Sequence, residues 1–219
     1  MLHLLRNWHT RCASPQDLAS LVAIRGQAWW SGLWGTLALH CKATLFGIEC
    51  GRGARAAGSV ILARWPKSRI HIGAGVSLVS CSRRATAAVV LPIRLKTLGP
   101  SAAIVLEQGV ELSGVSIAAR SKTIHVGAYT MIAPGCVLVD SDFHAPWPPE
   151  RRHIDPGYDR DAGIEIGDHV WIGMHCCLLK GVRIGRGSIV AAGSVVVRDL
   201  PENCLAAGVP ARVVREFGK

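Results

Sequence analysis

Apolar residues recur at every sixth position over a long stretch of the C-terminal half of the chain. A second series, four positions after each of these, consists of small or aliphatic residues. The first series is Ile166, Ile172, Leu178, Ile184, Val190 and Val196, and the second is Val170, Cys176, Val182, Ser188 and Ser194. An α-helix repeats after about 3.6 residues and a strand after two, so neither element alone explains a period of six.

The same period extends toward the N-terminus in a weaker form. It is visible at Val126, Ile132 and Leu138, at Leu106 and Leu112, and at Ile72 and Leu78. Short parallel strands arranged as a three-sided prism produce such a repeat, because each hexapeptide forms one side and turns one aliphatic residue toward the axis. Three hexapeptides close one coil, stacked about 4.8 Å from the next. The pattern predicts an all-β solenoid over residues 47–200.

Two segments interrupt the hexapeptide register. Residues 83–103 combine basic residues with two prolines, and residues 141–165 contain four prolines together with His144 and His153. Loops that leave a rigid solenoid commonly carry function. We therefore expect a loop at each interruption, and the second is the better candidate for a functional site. Residues 201–219 are expected to form a C-terminal tail.

The hexapeptide pattern is absent from residues 1–46. Apolar residues at roughly helical spacing there are Leu18, Leu21, Val22, Trp29, Leu33 and Leu37, and four of the seven tryptophans, Trp8, Trp29, Trp30 and Trp34, fall in the first 34 residues. Two interpretations stay open for this segment. It is either a helical cap that buries these rings on the first coil, or an amphipathic element that lies on a membrane surface.

The positive charge of the chain lies in its N-terminal half. The net charge is +10, and residues 1–96 contain 13 Lys and Arg residues against only Asp17 and Glu49. Such asymmetry favours a polyanion or an anionic membrane surface as a partner. Nucleic acid is the weaker choice, because no helix-turn-helix, zinc-finger or RNA-binding aromatic motif accompanies the charge.

Composition argues against several other classes. A mean hydropathy of +0.28 with 18% charged residues is typical of a folded chain. The uncharged stretch at residues 26–41 is interrupted too often by polar residues to span a membrane, and the first residues do not resemble a secretory signal. The eight cysteines form no Cys-x-x-Cys pair, so we expect reduced thiols, no zinc and a cytoplasmic location.

Four stretches of the C-terminal half resemble the hexapeptide-repeat acyltransferases, in the branch of galactoside, maltose and nodulation-factor O-acetyltransferases and of capsule, O-antigen and exopolysaccharide acetyltransferases. The stretches are Asp140-Ser-Asp-Phe-His144, Ile164-Glu-Ile-Gly-Asp-His-Val-Trp-Ile-Gly173, Ile184-Gly-Arg-Gly-Ser-Ile-Val-Ala-Ala-Gly-Ser-Val-Val196 and Ala206-Ala-Gly-Val-Pro-Ala-Arg-Val-Val-Arg215. The resemblance covers residues 104–217. It implies a left-handed parallel β-helix and a homotrimer with each cofactor between two subunits.

The resemblance also implies catalytic roles. His144 matches the family's catalytic histidine, which acts as general base on the acceptor hydroxyl, and the backbone N–H of Met174 is the implied oxyanion donor. Carboxylates commonly fix a histidine tautomer, and Asp142 is the candidate for that role here. The candidate acceptor-binding residues are Ser113, Asp140 and Glu150; Ser113 stands near the position of a family asparagine, which leaves the sugar pocket undefined.

Acetyl-CoA is the implied acyl donor. The resemblance places Trp171 and Gly173 beside its acetyl end, Ala192 and Gly193 against its pantetheine arm, and Arg198, Arg212 and Arg215 near its phosphates. A planar guanidinium suits phosphate well. The histidines that could instead bind metal, His125, His153, His169 and His175, do not match the three-histidine zinc site of the hexapeptide-fold γ-carbonic anhydrases, and Cys176 is interpreted as core.

The sequence therefore predicts an acetyl-CoA-dependent O-acetyltransferase that acts on a sugar hydroxyl in bacterial cell-surface polysaccharide synthesis. N-acetylation of an amino sugar is one alternative, and a non-catalytic scaffold is another. The expected location is the cytoplasm, with peripheral contact at the inner face of the membrane.

Overall fold

The computed structural model describes residues 14–82, 85 and 89–218, so Trp8 of the sequence prediction lies outside the described part. One long helix, α1, spans Pro15–Phe46. Ser14 and Asp17 form a reciprocal capping box at its start, and Gly47, in the left-handed region with φ of 62°, ends it. No helix in the described ranges is long and apolar enough to cross a membrane.

Twenty short strands follow and form three sheets. Sheet A contains β1 (Glu49–Cys50), β4 (Arg69–Ile72), β7 (Ala103–Leu106), β10 (Thr123–Val126), β13 (Ile164–Ile166) and β16 (Arg183–Ile184). Sheet B contains β2 (Arg55–Ala57), β5 (Ser77–Val79), β8 (Glu111–Ser113), β11 (Met131–Ile132), β14 (Trp171–Ile172), β17 (Ile189–Val190), β19 (Cys204–Gly208) and β20 (Ala211–Glu216). Sheet C contains β3 (Ile61–Ala63), β6 (Arg94–Thr97), β9 (Ser116–Ala119), β12 (Val137–Val139), β15 (Cys177–Leu178) and β18 (Val195–Val196).

The chain visits sheets A, B and C in turn and forms a left-handed parallel β-helix, which confirms the predicted fold class. Ile166 pairs with Ile184, Ile172 with Val190, and Leu178 with Val196, so each coil of the regular part advances by three hexapeptides. All six predicted axial residues are at most 2% exposed. Among the strands of the described residues, the terminal pair β19 and β20 alone is antiparallel.

The first interruption is shorter than the expected span of residues 83–103. Residues Arg94–Thr97 form strand β6 of sheet C, and Leu95 is fully buried between Leu62 and Ile117 of the neighbouring strands. The expectation was wrong here because Arg94 and Lys96 alternate with inward residues and lie on the outer face, where charge is tolerated. The second interruption ends at residue 163, since Ile164 already belongs to β13.

Helix α1 covers the N-terminal end of the prism. Gly35, Leu39 and Ala43 are buried against the first coil, and His40 hydrogen-bonds the carbonyl of Ala54. The tryptophan rings do not follow this face: Trp29, Trp30 and Trp34 are 54–61% exposed. The expectation that a cap buries these rings is therefore wrong, because the side of the helix with Gly35, Leu39 and Ala43, rather than the side with the tryptophans, contacts the coil.

Candidate active site

The loop that carries His144 leaves sheet C after β12 and returns to sheet A at β13. It therefore projects from the edge where sheets C and A meet, which we call the C–A edge. Two short 3-10 helices, Pro149–His153 and Tyr158–Arg160, give the loop most of its regular structure. The positive φ of Phe143, 64°, turns the chain away from the strand direction just before His144.

A buried arginine anchors this loop. Arg120, 5% exposed, lies in the turn after β9 and donates to both carboxylate oxygens of Asp161, at 2.9 and 2.5 Å. The same guanidinium donates to the carbonyl of Pro156 and contacts the rings of Phe143 and Tyr158, 5.6 and 4.5 Å from their centroids. Sequence reasoning missed Arg120, because no motif marks a lone arginine in an edge turn.

Two buried carboxylates complete the anchor. Burial opposes the ionisation of Asp161, but hydrogen bonds from Arg120, Ser121 and Ser141 prevail and hold its pKa below the usual value. Asp140, fully buried, accepts the backbone N–H groups of Arg120, Ser121 and Lys122 at 2.7, 3.0 and 2.8 Å. Asp140 therefore fixes the preceding turn, and no surface of it is open to a substrate, which corrects its prediction as an acceptor-binding residue.

His144 is exposed, and its ring is oriented by the backbone of its own loop. Its Nδ1 lies 2.8 Å from the carbonyl oxygen of Arg152. Because a carbonyl oxygen can only accept, Nδ1 carries the proton and Nε2 keeps a lone pair directed elsewhere. This is the tautomer that a general base requires.

Asp142 does not perform the orienting role predicted for it. Its side chain is 45% exposed and forms an ion pair with Lys180 at 2.5 Å. The expectation assumed that the strand alternation continues past residue 140, whereas the chain leaves the strand there. Glu150 is exposed in the first 3-10 helix of the loop, eight residues before Tyr158.

The candidate acyl-CoA residues occupy a different part of the prism. Trp171 lies on the outer face of sheet B, 51% exposed, between Met131 and Ile189 of the adjacent strands. Gly173 and Met174 follow in the turn from sheet B to sheet C, and Ala192 and Gly193 occupy the same turn one coil later; we call this the B–C edge.

Backbone groups are accessible along the B–C edge. Within the described ranges the N–H of Met174 has no acceptor, while its carbonyl accepts from Gly193. Ala192 and Gly193 are exposed, and a Cβ at Gly193 would meet no atom within 4 Å. The edge therefore offers an open groove wall with a free backbone donor, which fits a linear arm that carries a carbonyl group.

The three candidate phosphate-binding arginines are exposed but fall into two groups. Arg212 and Arg215 lie on β20, which extends sheet B. Arg198 follows the last strand of sheet C and so lies toward the C–A edge. Ser113 lies at the end of β8 in sheet B, half-buried.

His144 and the residues predicted to contact the acyl group and pantetheine arm, Trp171, Met174, Ala192 and Gly193, lie on different parts of one chain. In a three-sided prism, the edge between sheets C and A lies opposite the face formed by sheet B. His144 projects from the C–A edge. Trp171 lies on the face of sheet B, and Met174 lies at the B–C edge. A site that uses both groups therefore needs two copies of the chain.

The C–A edge also carries a groove of about 460 Å³ beside the loop that contains His144. Tyr158 of the loop and Trp65 line it, and both rings are at least half exposed. Ser101, Ser121 and Lys122 add hydroxyl and ammonium groups to the lining. An apolar ring surface with a few polar groups is suited to a polar ring-shaped ligand.

The remaining candidate groups have structural partners. Cys176 is buried, and its thiol donates to the carbonyl of Ala191, while the hydrogen bond with Cys176 and burial raise the pKa of Cys136. His125 faces Glu107 and Glu165, and His169 stacks on Tyr129 at 5.3 Å. The described residues contain no group of three or more His, Cys, Asp or Glu side chains that could hold a metal ion.

Comparison with known proteins agrees with this architecture. Residues 163–198 match the family described as bacterial transferase hexapeptide (six repeats). Galactoside O-acetyltransferase of Escherichia coli K12 is 43% identical over 95 residues, which are 43% of this chain and 45% of that protein. A Staphylococcus aureus Mu50 protein, named only as a candidate acetyltransferase, is 46% identical over 65 residues, 30% of this chain and 33% of that protein.

The fold is shared over a longer range with a solved structure. AntD, an N-acyltransferase from Bacillus cereus, superposes with a TM-score of 0.59 at 15% identity, covering 82% of this chain and 88% of AntD. The chain therefore contains hexapeptide repeats of the bacterial transferase type and shares its fold with AntD. It spans between a third and a half of the length of the two curated relatives just described.

Proposed function

We propose that the protein is an acetyl-CoA-dependent O-acetyltransferase that acts on a sugar hydroxyl in cell-surface polysaccharide synthesis. The observation that carries the proposal is the state of His144: exposed, with Nδ1 donating to the Arg152 carbonyl, and therefore with Nε2 available to accept a proton. The name of the Escherichia coli relative, a galactoside O-acetyltransferase, supports a sugar acceptor.

The reaction proceeds by direct transfer between the two substrates. His144 Nε2 removes the proton of the acceptor hydroxyl as its oxygen attacks the thioester carbonyl of acetyl-CoA. The Met174 N–H of the neighbouring copy stabilises the negative charge that develops on the carbonyl oxygen. Collapse of the tetrahedral species breaks the carbon–sulfur bond, and the thiolate of CoA takes the proton from His144. No cysteine of the enzyme becomes acylated.

The groove at the C–A edge is the proposed acceptor site. Tyr158 belongs to the same loop as His144, so a sugar that stacks on Tyr158 or Trp65 occupies a groove that this loop helps to form. Ser101, Ser121 and Lys122 supply hydrogen bonds to its hydroxyl groups. An amino sugar would use the same base, and a screen of sugars and amino sugars by mass spectrometry decides between O- and N-acetylation.

The acyl donor lies along the B–C edge of the adjoining copy. Its pantetheine amides face the backbone at Ala192 and Gly193, and Arg212 and Arg215 lie near its phosphates. We place the assembled trimer in the cytoplasm, at the inner face of the membrane, where lipid-linked glycans are built.

The test is the substitution His144→Ala, with His153→Ala as the matched control in the same exposed loop. Loss of a general base lowers kcat by roughly 100-fold or more. We expect that loss in His144→Ala, with acetyl-CoA binding unchanged by calorimetry, and near-normal turnover in His153→Ala. Turnover of His144→Ala above a tenth of the wild-type rate would show that another group is the base.

A further inference from the structure

The outer side of helix α1 is apolar, and no residue of the described ranges packs over it. Gly35, Leu39 and Ala43 repeat every four residues and form the side that contacts the first coil. Trp30, Leu33, Trp34 and Leu37, spaced by three and four residues on the opposite side, are 48–60% exposed. We call these four residues the end face, because they point away from the prism at its N-terminal end.

The position of the end face follows from the sheet order. Strands β1, β2 and β3 are the first edge strands of sheets A, B and C, and α1 packs across all three. A helix that crosses the open end of a prism turns its far side outward along the prism axis. The sides of the prism, which a side-by-side assembly of prisms would use, lie roughly at right angles to this direction.

The end face itself carries no charge. Residues 26–41 contain no Asp, Glu, Lys or Arg, and His40 is directed to the coil by its bond with Ala54. Tryptophan rings combine a large apolar surface with one N–H donor, the combination that favours the boundary between lipid chains and headgroups. Helix α1 is apolar both on the side that contacts the prism and on the opposite side. Such a helix is suited to a position between the prism and a second apolar environment.

Basic residues lie on helix α1 and on the coils that follow it. Residues 14–82 contain seven Lys and Arg residues against Asp17 and Glu49, and Glu49 is engaged by Arg69 and His71. Arg52 and Arg55 are exposed on the first coil. Arg55 also lines a groove of about 450 Å³ with Trp29 and with Leu33, which lies at the border of the end face nearest the coil.

We propose that the end face docks on the surface of an anionic lipid bilayer, with α1 lying in the interface plane and the prism axis roughly perpendicular to it. Apolar side chains enter the headgroup region, and the basic residues of α1 and the first coils attract the anionic lipids. A second copy of the chain is a poor partner for the end face. End-to-end contact would bring together two N-terminal ends that both carry net positive charge, and these would repel each other. In a side-by-side trimer all three end faces point in the same direction.

The experiment is co-sedimentation of the full chain with phosphatidylglycerol vesicles and with phosphatidylcholine vesicles, in low and high salt. We expect binding to the anionic vesicles that weakens in high salt. The double variant Trp30→Gln/Trp34→Gln should lose affinity by about tenfold or more, since two rings no longer enter the interface. Trp147→Gln, which removes an even more exposed ring on the loop that carries His144, is the matched control and should bind normally.

A second variant tests the charge. Arg52→Gln/Arg55→Gln should lower affinity for phosphatidylglycerol by about fivefold for each arginine. Circular dichroism of each variant checks that the helix is intact. Equal sedimentation of wild type and the tryptophan variant, or none by the wild type, would overturn the proposal. A wild-type assembly that the tryptophan substitutions dissociate, seen by light scattering, would identify the end face as a protein contact instead.

Discussion

At the scale of single residues, the loop that carries His144, the proposed general base, is anchored by the buried ion pair of Arg120 and Asp161. Arg120 connects the turn after β9 to three points of the loop, at Phe143, Pro156 and the segment of Tyr158 and Asp161. A buried bidentate pair of this kind tolerates loss of one partner poorly, because the other charge is left unpaired. Arg120 is therefore a positioning residue for His144.

Substitution of Arg120 by Lys should lower kcat by about tenfold or more, because an ammonium cannot replace both bonds of the planar fork. The KM for acetyl-CoA should change little, since the donor edge lies elsewhere. Steady-state kinetics separates the two constants, and Arg186→Lys, an exposed arginine in another turn, is the control. A rise in KM for acetyl-CoA with unchanged kcat would contradict the positioning role.

At the scale of elements, the contact of helix α1 with the prism depends on close backbone approach. A Cβ at Gly35 would lie 2.7 Å from the carbonyl oxygen of Ala56, whereas a Cβ at Gly26 would meet no atom within 4 Å. Both glycines lie inside the same helix, where alanine is intrinsically better by about 1 kcal/mol. The two positions therefore separate helix propensity from docking.

Gly35→Ala should destabilise the protein, because the helix must shift away from the first coil and lose part of its buried contact. Gly26→Ala should leave the melting temperature unchanged or raise it slightly. Thermal unfolding followed by circular dichroism measures both. Equal effects of the two substitutions would show that the helix does not dock closely on the coil.

At the scale of the whole molecule, the separation of the C–A edge from sheet B makes the proposed active site a shared one. One copy supplies His144 and the acceptor groove, and its neighbour supplies Met174 and Ala192. In a trimer with closed C3 symmetry, each of the three proposed sites receives one set of residues from each of two neighbouring copies. Activity and assembly are therefore expected to be inseparable.

Complementation tests this arrangement. His144→Ala removes the base, and Ala192→Arg, at an exposed position, blocks the donor edge; each variant alone should be nearly inactive. Random mixed trimers from an equal mixture, unfolded and refolded together, should recover about a quarter of wild-type activity, because that fraction of sites contains both intact residues. Gln108→Arg, on the third edge, is the control for the added charge. Failure to recover any activity from trimers shown to be mixed would contradict a shared site.

The residue pattern of the chain is enough to predict its solenoid architecture, and the family resemblance indicates its chemistry. A period of six leaves only one side chain in each hexapeptide to face the axis, so the buried series at 166–196 could be identified without coordinates. The sequence predicts His144 as the general base because it lies within the motif Asp140-Ser-Asp-Phe-His144. The exposed position of Trp171 followed from the same period.

The side chains and carbonyl groups that surround His144 and Arg120 can be identified only in the folded chain. Arg120 and Asp161 are 41 positions apart, and the carbonyl that orients His144 comes from a loop without periodicity, so no local pattern could reveal either contact. Asp140 and Asp142 look equivalent in the sequence, but one is buried under three backbone N–H groups and the other is exposed to Lys180. The apolar spacing of helix α1 does not show which of its sides packs on the prism. The side with Gly35, Leu39 and Ala43 is buried there, and the side with Trp30 and Trp34 is exposed.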